Sequence, residues 1–449
     1  MKESGRYGDS NSRMVFLGCI IGAVLHFIAC YPGYMTGDSL DQYGQSLTGA
    51  YNQWHPPVMA AWWRCLNLIS SGPQCMLAFQ VVCLWAGMFF LADIVRSSRW
   101  WWLAVGLFAF APFVQNHAGY IVKDAQMALS WFLACMWMLH IAVYKRKPHA
   151  VEVVLCTVLL VYGCWIRLNA LPGFVPLCFL WAHVFLPGKR RLLQWAAAGV
   201  LIGASVLSLK GFNNYVVHSA KAYPELKLFM HDLSGIYIRT GQDVFPASLY
   251  DNPQFDTGYI RRRYNPTTFD NIWWNNDGVK ILDGDDASLY PVLKQAWLQA
   301  VAAHPATYAQ MRADGLLYYL RIRNSGDHFY YTIDFIDDNR WGFKVSDNFL
   351  RRLWLKGIHL NGAMPWMRPW FWILLNVGLL FGTAKLRNSG YRVVAKAMLW
   401  SGLLYFLPLY FLYQADHEFR FTYWNCFVCS LTLLFYIAER LEKPVPSPS

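Results

Sequence analysis

The sequence predicts an all-α, polytopic membrane protein with about ten transmembrane helices and one extracytoplasmic, α-rich insert. The 449 residues are 56% hydrophobic and 17% aromatic. Only 15% are charged, whereas soluble domains average about a quarter. Long apolar runs recur along the chain, and one long polar stretch interrupts them. This pattern is typical of a chain threaded repeatedly through a bilayer.

Ten apolar runs are candidate spans, because a crossing needs about twenty apolar residues, or somewhat fewer in a short helix. They are 14–32, 75–95, 101–116, 125–144, 150–167, 171–187, 192–209, 369–385, 397–413 and 421–438. Segment 56–70 is also apolar, but it holds Arg64 and begins next to two prolines, so we expect a re-entrant or interfacial piece. The predicted modules are therefore 1–209 and 369–449 in the membrane and 210–368 outside it.

The basic residues predict the orientation. Lys and Arg are concentrated in one alternate set of loops, and the other short loops are nearly free of them. The positive-inside rule therefore places both termini in the cytoplasm and favours an even number of crossings. The same bias explains the net charge of +12, so we predict no nucleic-acid partner.

The opposite, outer face collects unusual polar residues in its short loops. Ionisable groups at membrane depth are costly and point to function. The candidate site residues are Asp38, Asp41, His55, His117, Lys123, Asp124, Arg167, Asn169, Asp416, His417, Glu418 and Arg420.

Each candidate also has an ordinary structural interpretation. Apolar residues recur at helical spacing over 40–54, which predicts an amphipathic helix at the membrane surface. Asp38 is placed to cap this helix, or Ser39 and Gln42 to form a capping box, and Asp124 is placed to cap the next apolar helix. Each signal alone is weak. Their joint placement on one face favours a functional site.

The mixture of acids and cations suits a phosphate at the level of the lipid headgroups. Carboxylates act as general bases on hydroxyls, and Arg and Lys bind phosphate and stabilise it as it leaves. The sequence contains no Walker loop, no dinucleotide-binding glycine fingerprint and no HExxH motif.

The segments TGDSLDQ, YIVKDAQ and RLNALP, together with the topology, resemble the GT-C superfamily of membrane glycosyltransferases. Those enzymes use polyprenyl-phosphate-linked sugars, and the likeness is greatest to bacterial members that modify O-antigen and other surface glycans. The resemblance implies a site on the periplasmic side of the inner membrane. It implies that Asp38, with an acidic partner at Asp124, acts as base toward the acceptor hydroxyl. It also implies that Lys123, Arg167 and Arg420 meet the lipid phosphate.

The predicted partners are a polyprenyl-phosphate sugar donor, membrane lipid, and an acceptor hydroxyl on a glycan, lipid or protein. No cofactor is predicted with certainty. Asp38 and Asp41, one turn apart, suit a hard divalent cation such as Mg²⁺ or Mn²⁺, and metal use stays open. The alternative function is a transporter or flippase for a lipid-linked or anionic solute, which usually shows internal repeats and charges at mid-membrane. A third interpretation is a non-catalytic assembly protein.

Overall fold

The computed structural model describes residues 4–95, 98–273, 286–323, 329–412 and 418–441. Within them the chain forms α-helices, short 3-10 turns and one π-type turn at Phe212–Val216, with isolated backbone bridges and no strands. The all-α prediction is confirmed for this part of the chain.

The helices fall into three successive groups along the chain. The N-terminal group is α1 (Ser4–Cys30), α2 (Gly37–Thr48), α3 (Val58–Leu66), α4 (Gln74–Asp93), α5 (Arg99–Ala109), α6 (Pro112–Ala118), α7 (Lys123–Tyr144), α8 (Ala150–Trp165), α9 (Leu171–Phe185) and α10 (Arg191–Gly211). The insert contains α11 (Glu225–Thr240), α12 (Thr257–Arg263), α13 (Asp270–Trp273), α14 (Leu289–Ala303), α15 (Pro305–Tyr319) and α16 (Phe349–Leu360). The C-terminal group is α17 (Pro369–Gly382), α18 (Ser389–Leu412) and α19 (Tyr423–Leu441).

Five described helical segments are long and apolar enough to cross a membrane. They are Ser12–Cys30, Gln74–Asp93, Lys123–Tyr144, Arg191–Val216 and Phe419–Leu441. The apolar helices α8 and α9 are shorter than this standard. The prediction of a membrane protein is therefore supported, whereas the full set of ten spans is not confirmed.

The predicted span 101–116 is wrong as a single helix. The chain divides there into α5 and α6, with Ala111 extended at φ −61° and ψ 136°. Pro112 causes the break, because proline removes a backbone donor and disfavours the helical conformation of the residue before it. The eleven residues of α5 reach only about 17 Å at 1.5 Å per residue.

Two short helices follow the first apolar helix. The predicted amphipathic helix forms as α2 and ends at Gly49, whose φ of 74° is the left-handed conformation that glycine adopts readily. Segment 56–70 folds into α3, whose nine residues extend only about 14 Å. That length is too short to cross a bilayer and fits the predicted re-entrant or interfacial piece.

The core of the membrane part is centred on α7. This helix is buried along most of its length and packs against α4, α8, α9, α18 and α19. By contrast, α10 is exposed along most of its surface, with large apolar side chains such as Trp195 and Val200 facing outward. An apolar exposed helix of this kind is what a lipid-facing position requires.

The insert has two parts. Residues between Leu226 and Ala300 form a hydrophobic core of their own, built mainly from α11 and α14. Residues after α14 instead join the membrane helices: Tyr319 packs with Phe406 and Phe421, and α16 packs along α1 and α6. The second part of the insert therefore packs against helices of both the N-terminal and the C-terminal groups.

Candidate functional site

Four loop segments are joined by backbone hydrogen bonds into one platform. Tyr34 pairs with Tyr120, Met35 pairs with Ile336, and Tyr330 pairs with Glu418. These bridges bring together four segments that are far apart in sequence. The platform fixes the positions of the polar side chains that the loops carry.

Close approach of the first two loops depends on a glycine. A Cβ at Gly119 would lie 2.6 Å from the sulfur of Cys30, a distance that real side chains do not tolerate. The Gln80 side chain then holds the same turn, because its Nε2 donates to the carbonyls of Ala118 and Tyr120, 3.1 and 3.0 Å away.

Seven side chains, from the platform segments and from two other segments, form one connected charged cluster. Its members are Asp38, His55, Lys123, Asp124, Arg167, Glu418 and Arg420. The sequence analysis named all seven, and the structure brings them into contact although they come from five separate segments.

Arg420 is the centre of the cluster. Its Nε lies 2.8 Å from Oε2 of Glu418 and its Nη1 lies 3.4 Å from Oδ2 of Asp38. A longer contact of 4.0 Å joins its Nε to Oδ2 of Asp124. The side chain is only 7% exposed, so burial of its charge requires these three carboxylates.

Asp124 is fully buried and is held from the other side. Arg167 Nε lies 3.0 Å from its Oδ1, and the Tyr405 hydroxyl donates to the same oxygen at 2.9 Å. The guanidinium carbons of Arg167 and Arg420 lie 5.0 and 5.1 Å from the centroid of the Phe421 ring. Two cations thus flank one carboxylate and one aromatic ring.

Asp38, His55 and Lys123 form a chain of hydrogen bonds. Lys123 Nζ lies 2.5 Å from Nδ1 of His55, and Nε2 of His55 lies 3.4 Å from Oδ1 of Asp38. An ammonium group has only donors, so His55 accepts at Nδ1 and carries its own proton on Nε2. His55 is therefore neutral in this arrangement and donates toward Asp38.

The electrostatics agree with this assignment. Burial, followed by the neighbouring Lys123 charge, lowers the pKa of His55. Burial opposes ionisation of Asp38, but His55, Lys123 and Arg420 together outweigh it and hold the pKa of this carboxyl well below its usual range. Asp38 is thus an ionised carboxylate, and its side chain remains 36% exposed.

The capping alternatives for the two acids are wrong. Thr36 and Val122 occupy the N-cap positions of α2 and α7, and no side-chain capping hydrogen bond forms at either. The capping box of Ser39 and Gln42 is also absent, since the Ser39 hydroxyl donates to the carbonyl of Ile121 at 2.5 Å. Asp38 and Asp124 are therefore directed into the cluster rather than at the helix ends.

Three other predicted residues lie near the cluster but make no ion pair with it. Asp41 is exposed and accepts a 2.7 Å hydrogen bond from Gln45. His117 packs its ring against Phe419, and both its ring nitrogens are buried without a hydrogen-bond partner. Asn169 follows Arg167 in a 3-10 turn, with its Nδ2 likewise buried and unpartnered. The predicted residues Asp416 and His417 lie outside the described residues.

Sequence reasoning missed the hydroxyl groups of the site. The Tyr120 hydroxyl lies 2.7 Å from Oγ1 of Thr36 and 3.4 Å from Nη1 of Arg420. Tyr120 is the first residue of YIVKDAQ, one of the segments quoted in the sequence analysis, so its place beside Lys123 and Asp124 could have identified it. Tyr405 lies within the apolar run of α18 and gave none.

When Lys123 carries its proton, the charges of the cluster balance. Lys123, Arg167 and Arg420 then supply three cations, and Asp38, Asp124 and Glu418 supply three carboxylates, while His55 is neutral. An anion that binds here must therefore replace one of these carboxylates as the partner of a basic side chain. Asp38 is the most exposed of the three, at 36% against 0% and 20%.

The metal question stays open. Asp38 and Asp41 contact different partners, and within the described ranges no group of three His, Cys, Asp or Glu side chains is close enough to hold a metal ion.

Comparisons of the chain with protein-family models, with characterised proteins and with solved structures found no match.

Proposed function

We propose that the protein transfers a sugar from a polyprenyl-phosphate donor to an acceptor hydroxyl at the outer, periplasmic face of a bacterial cytoplasmic membrane. The observation that carries this proposal is the charged cluster itself. In it, the partly exposed carboxylate of Asp38 lies beside buried basic side chains such as Arg420, close to the first residues of long apolar helices. That combination serves a reaction that removes a proton from one partner and stabilises a leaving phosphate on the other.

In the proposed reaction, the acceptor oxygen attacks the anomeric carbon of the donor sugar. The acceptor proton passes to Asp38, a new carbon–oxygen bond forms, and the bond from the anomeric carbon to the phosphate oxygen breaks. The electron pair of that bond leaves with the lipid phosphate, which Lys123 and Arg420 stabilise. A single displacement of this kind inverts the anomeric centre.

Asp124 and Arg167 have a positioning role in this scheme. Both are buried more deeply than Asp38, and Tyr405 and Phe421 fix their orientation. Such buried, partnered groups lose little freedom when substrate binds, which is the requirement for pre-organised electrostatics.

The balanced charge of the cluster links donor binding to base strength. In the free protein Asp38 is a weak base, because its neighbours favour the charged carboxylate. When the donor phosphate takes up the hydrogen bonds of Lys123 and Arg420, it weakens their hold on Asp38 and the pKa of that carboxyl rises. Asp38 thus becomes an effective base only after the donor has bound.

The test is transfer by the purified protein in lipid, from a panel of polyprenyl-phosphate sugars to cell-envelope acceptors. Asp38→Asn should reduce transfer by roughly 10³-fold, the scale of general-base catalysis, without changing folding. Asp347→Asn is the matched control, because Asp347 is an exposed aspartate that also pairs with an arginine.

Two results would count against the proposal. Full transfer by Asp38→Asn would remove Asp38 as the base. Movement of the lipid across the vesicle, with no sugar transfer from any donor, would favour the transporter instead.

A further inference from the structure

A second feature lies on the same helix as Asp38. It is a cavity of about 520 Å³ between α2 and the segment 338–341, which we call the α2 groove. Its size falls within the range of small-ligand sites, roughly 300–1,000 Å³. The charged cluster does not line it, and the reaction described above assigns it no role.

The two walls of the groove are held together by specific contacts. The carboxylate of Asp337 accepts a 2.7 Å hydrogen bond from the backbone of Gly37, which ties the segment to the first turn of α2. Further along, Trp341 packs edge-on against Tyr43 with ring centroids 5.0 Å apart. Both walls are therefore fixed relative to Asp38.

Arg340 and Trp341 lie along α2 beside Gly44. A Cβ at this position would lie 3.4 Å from the Trp341 ring and 3.8 Å from Nη2 of Arg340. These are ordinary van der Waals distances, so both side chains lie directly against the helix. Arg340 in turn lies over the Trp341 ring, 4.7 Å from its centroid.

The lining carries charged and polar groups of both signs within a larger apolar area. Asp41 and Asp338 contribute carboxylates, Arg340 contributes a guanidinium, and Gln45, Asn52 and Asn339 contribute amides. Carboxylates accept hydrogen bonds from hydroxyls, and a guanidinium donates to hydroxyl and ring oxygens. Two carboxylates against one cation disfavour an anionic ligand, and charged groups that a lipid tail would cover without hydrogen bonds disfavour such a tail.

The groove leads to the proposed base. Asp38, Asp41, Gln45 and Thr48 recur at intervals of three and four residues, which places them along one side of α2. Asp41 lies one turn from Asp38, a rise of about 5 Å. A chain molecule bound along the groove therefore ends beside the Asp38 carboxylate.

From these features we infer that the α2 groove binds the acceptor, and that the acceptor is a neutral, hydroxyl-rich glycan whose terminal hydroxyl reaches Asp38. This inference rests on the proposed function for the transfer step, but glycan binding in the groove is measurable without it. Asp41, which the sequence analysis named as a candidate site residue, becomes an acceptor-binding residue.

The experiment uses the full chain in lipid nanodiscs and has two readouts. One is saturation-transfer NMR of binding by a panel of neutral tri- and tetrasaccharides, and the other is the acceptor KM for transfer. Arg340→Ala should raise both the dissociation constant and the acceptor KM by about tenfold, the scale of one lost charge-assisted hydrogen bond, with a smaller change in kcat. Arg352→Ala, an exposed arginine outside the groove, should change neither.

The outcomes separate this inference from the proposed function. Transfer with an unchanged acceptor KM in Arg340→Ala would overturn the groove and leave the enzyme. Saccharide binding that Arg340→Ala abolishes, with no transfer from any donor, would keep the groove and refute the transferase. Transfer to peptide acceptors only, or no binding of any saccharide, would overturn the assignment of a glycan.

Discussion

Two aspartate–arginine pairs in this molecule each contain a buried arginine, yet their aspartates differ in exposure. In the insert, Asp232 is fully buried and Arg312 is 7% exposed, and Trp297 donates to the same carboxylate oxygen at 2.8 Å. In the charged cluster, Arg420 is equally buried, but Asp38 is 36% exposed and 3.4 Å away.

In the insert, Asp232 and Arg312 form what we call the closed pair, in which both charges are buried and compensate each other. In the charged cluster, Arg420 is shared among three carboxylates, and one of these, Asp38, is 36% exposed. The partly exposed carboxylate can be exchanged for a substrate anion, which is what the proposed function requires and what the closed pair does not offer.

Breaking the closed pair should produce the largest loss of stability. Arg312→Ala leaves Asp232 buried without its arginine, and removal of one partner of a buried pair costs about 3–5 kcal/mol. We expect the insert to become sensitive to limited proteolysis at temperatures where the wild-type chain is resistant. The matched control is Arg323→Ala, whose arginine is 48% exposed and paired with Asp314.

The comparison would fail if both variants were equally resistant to protease. It would also fail if Asp38→Asn unfolded the chain as readily as Arg312→Ala. Because Asp38 is partly exposed, its substitution is expected to reduce activity and to leave folding unchanged.

Conservative replacement in the charged cluster should have a smaller effect, confined to activity. Arg167→Lys keeps the positive charge but loses the planar Nε contact to Asp124 and the stacking on Phe421. We expect kcat/KM for the donor to fall about tenfold, equivalent to one hydrogen bond to a charged group, with the melting temperature nearly unchanged. Arg99→Lys is the control, because Arg99 is exposed and lies over Trp100 at 5.5 Å.

The sequence predicted all seven members of the charged cluster because charged residues are rare in this chain. When acids and cations occur at the outer ends of apolar runs, burial forces them to seek partners, so Asp38, Asp124, Arg167 and Arg420 stood out. Tyr405 did not, because a tyrosine in an apolar run has the same appearance whether its hydroxyl meets lipid headgroups or a buried carboxylate.

The fold was predicted less completely for a related reason. Periodicity identified α2, and apolar length identified α1, α4, α7, α10 and α19. Apolar length also predicted one span over 101–116, because a hydropathy average is hardly changed by a single proline. The helix nevertheless breaks at Pro112, because proline removes a backbone donor and constrains the residue before it. The close packing of the segment 329–348 against the first loop depends on long-range backbone pairing, which no local pattern records.

The link between the insert and the charged cluster offers a smaller test. Lys227 of the insert lies over the ring of Trp54, next to His55, at 5.0 Å, and over Phe269 and Trp273 at 5.6 Å each. Lys227→Met keeps the aliphatic stem and removes a cation–π interaction of about 1 kcal/mol. Backbone amides near Gln53, which donates to Ala220 at 2.9 Å, should exchange roughly fivefold faster.

The corresponding control lies within the insert. Lys294→Met removes a similar contact over Tyr290, at 5.7 Å, and should leave exchange at Gln53 unchanged. Equal acceleration in both variants would show a general loosening of the insert and not a link to the loop of His55.

The smallest expected effect is in the pH dependence. Folding lowers the pKa of Asp38, so its ionised form is favoured above its ordinary pKa, and that contribution is lost only as the pH falls through the lower folded value. His55 has a lowered pKa as well and stays neutral above its ordinary value of about 6.5.

In the free protein neither group changes charge between about pH 6.5 and 8. We therefore expect kcat/KM for the donor, which binds first and so reports free-enzyme groups, to vary less than about twofold across this interval through these two residues. The contrary result is a fall in kcat/KM below about pH 7 whose midpoint shifts in Asp38→Asn or His55→Gln. It would show that Lys123 and Arg420 do not lower the pKa of Asp38 as the geometry requires.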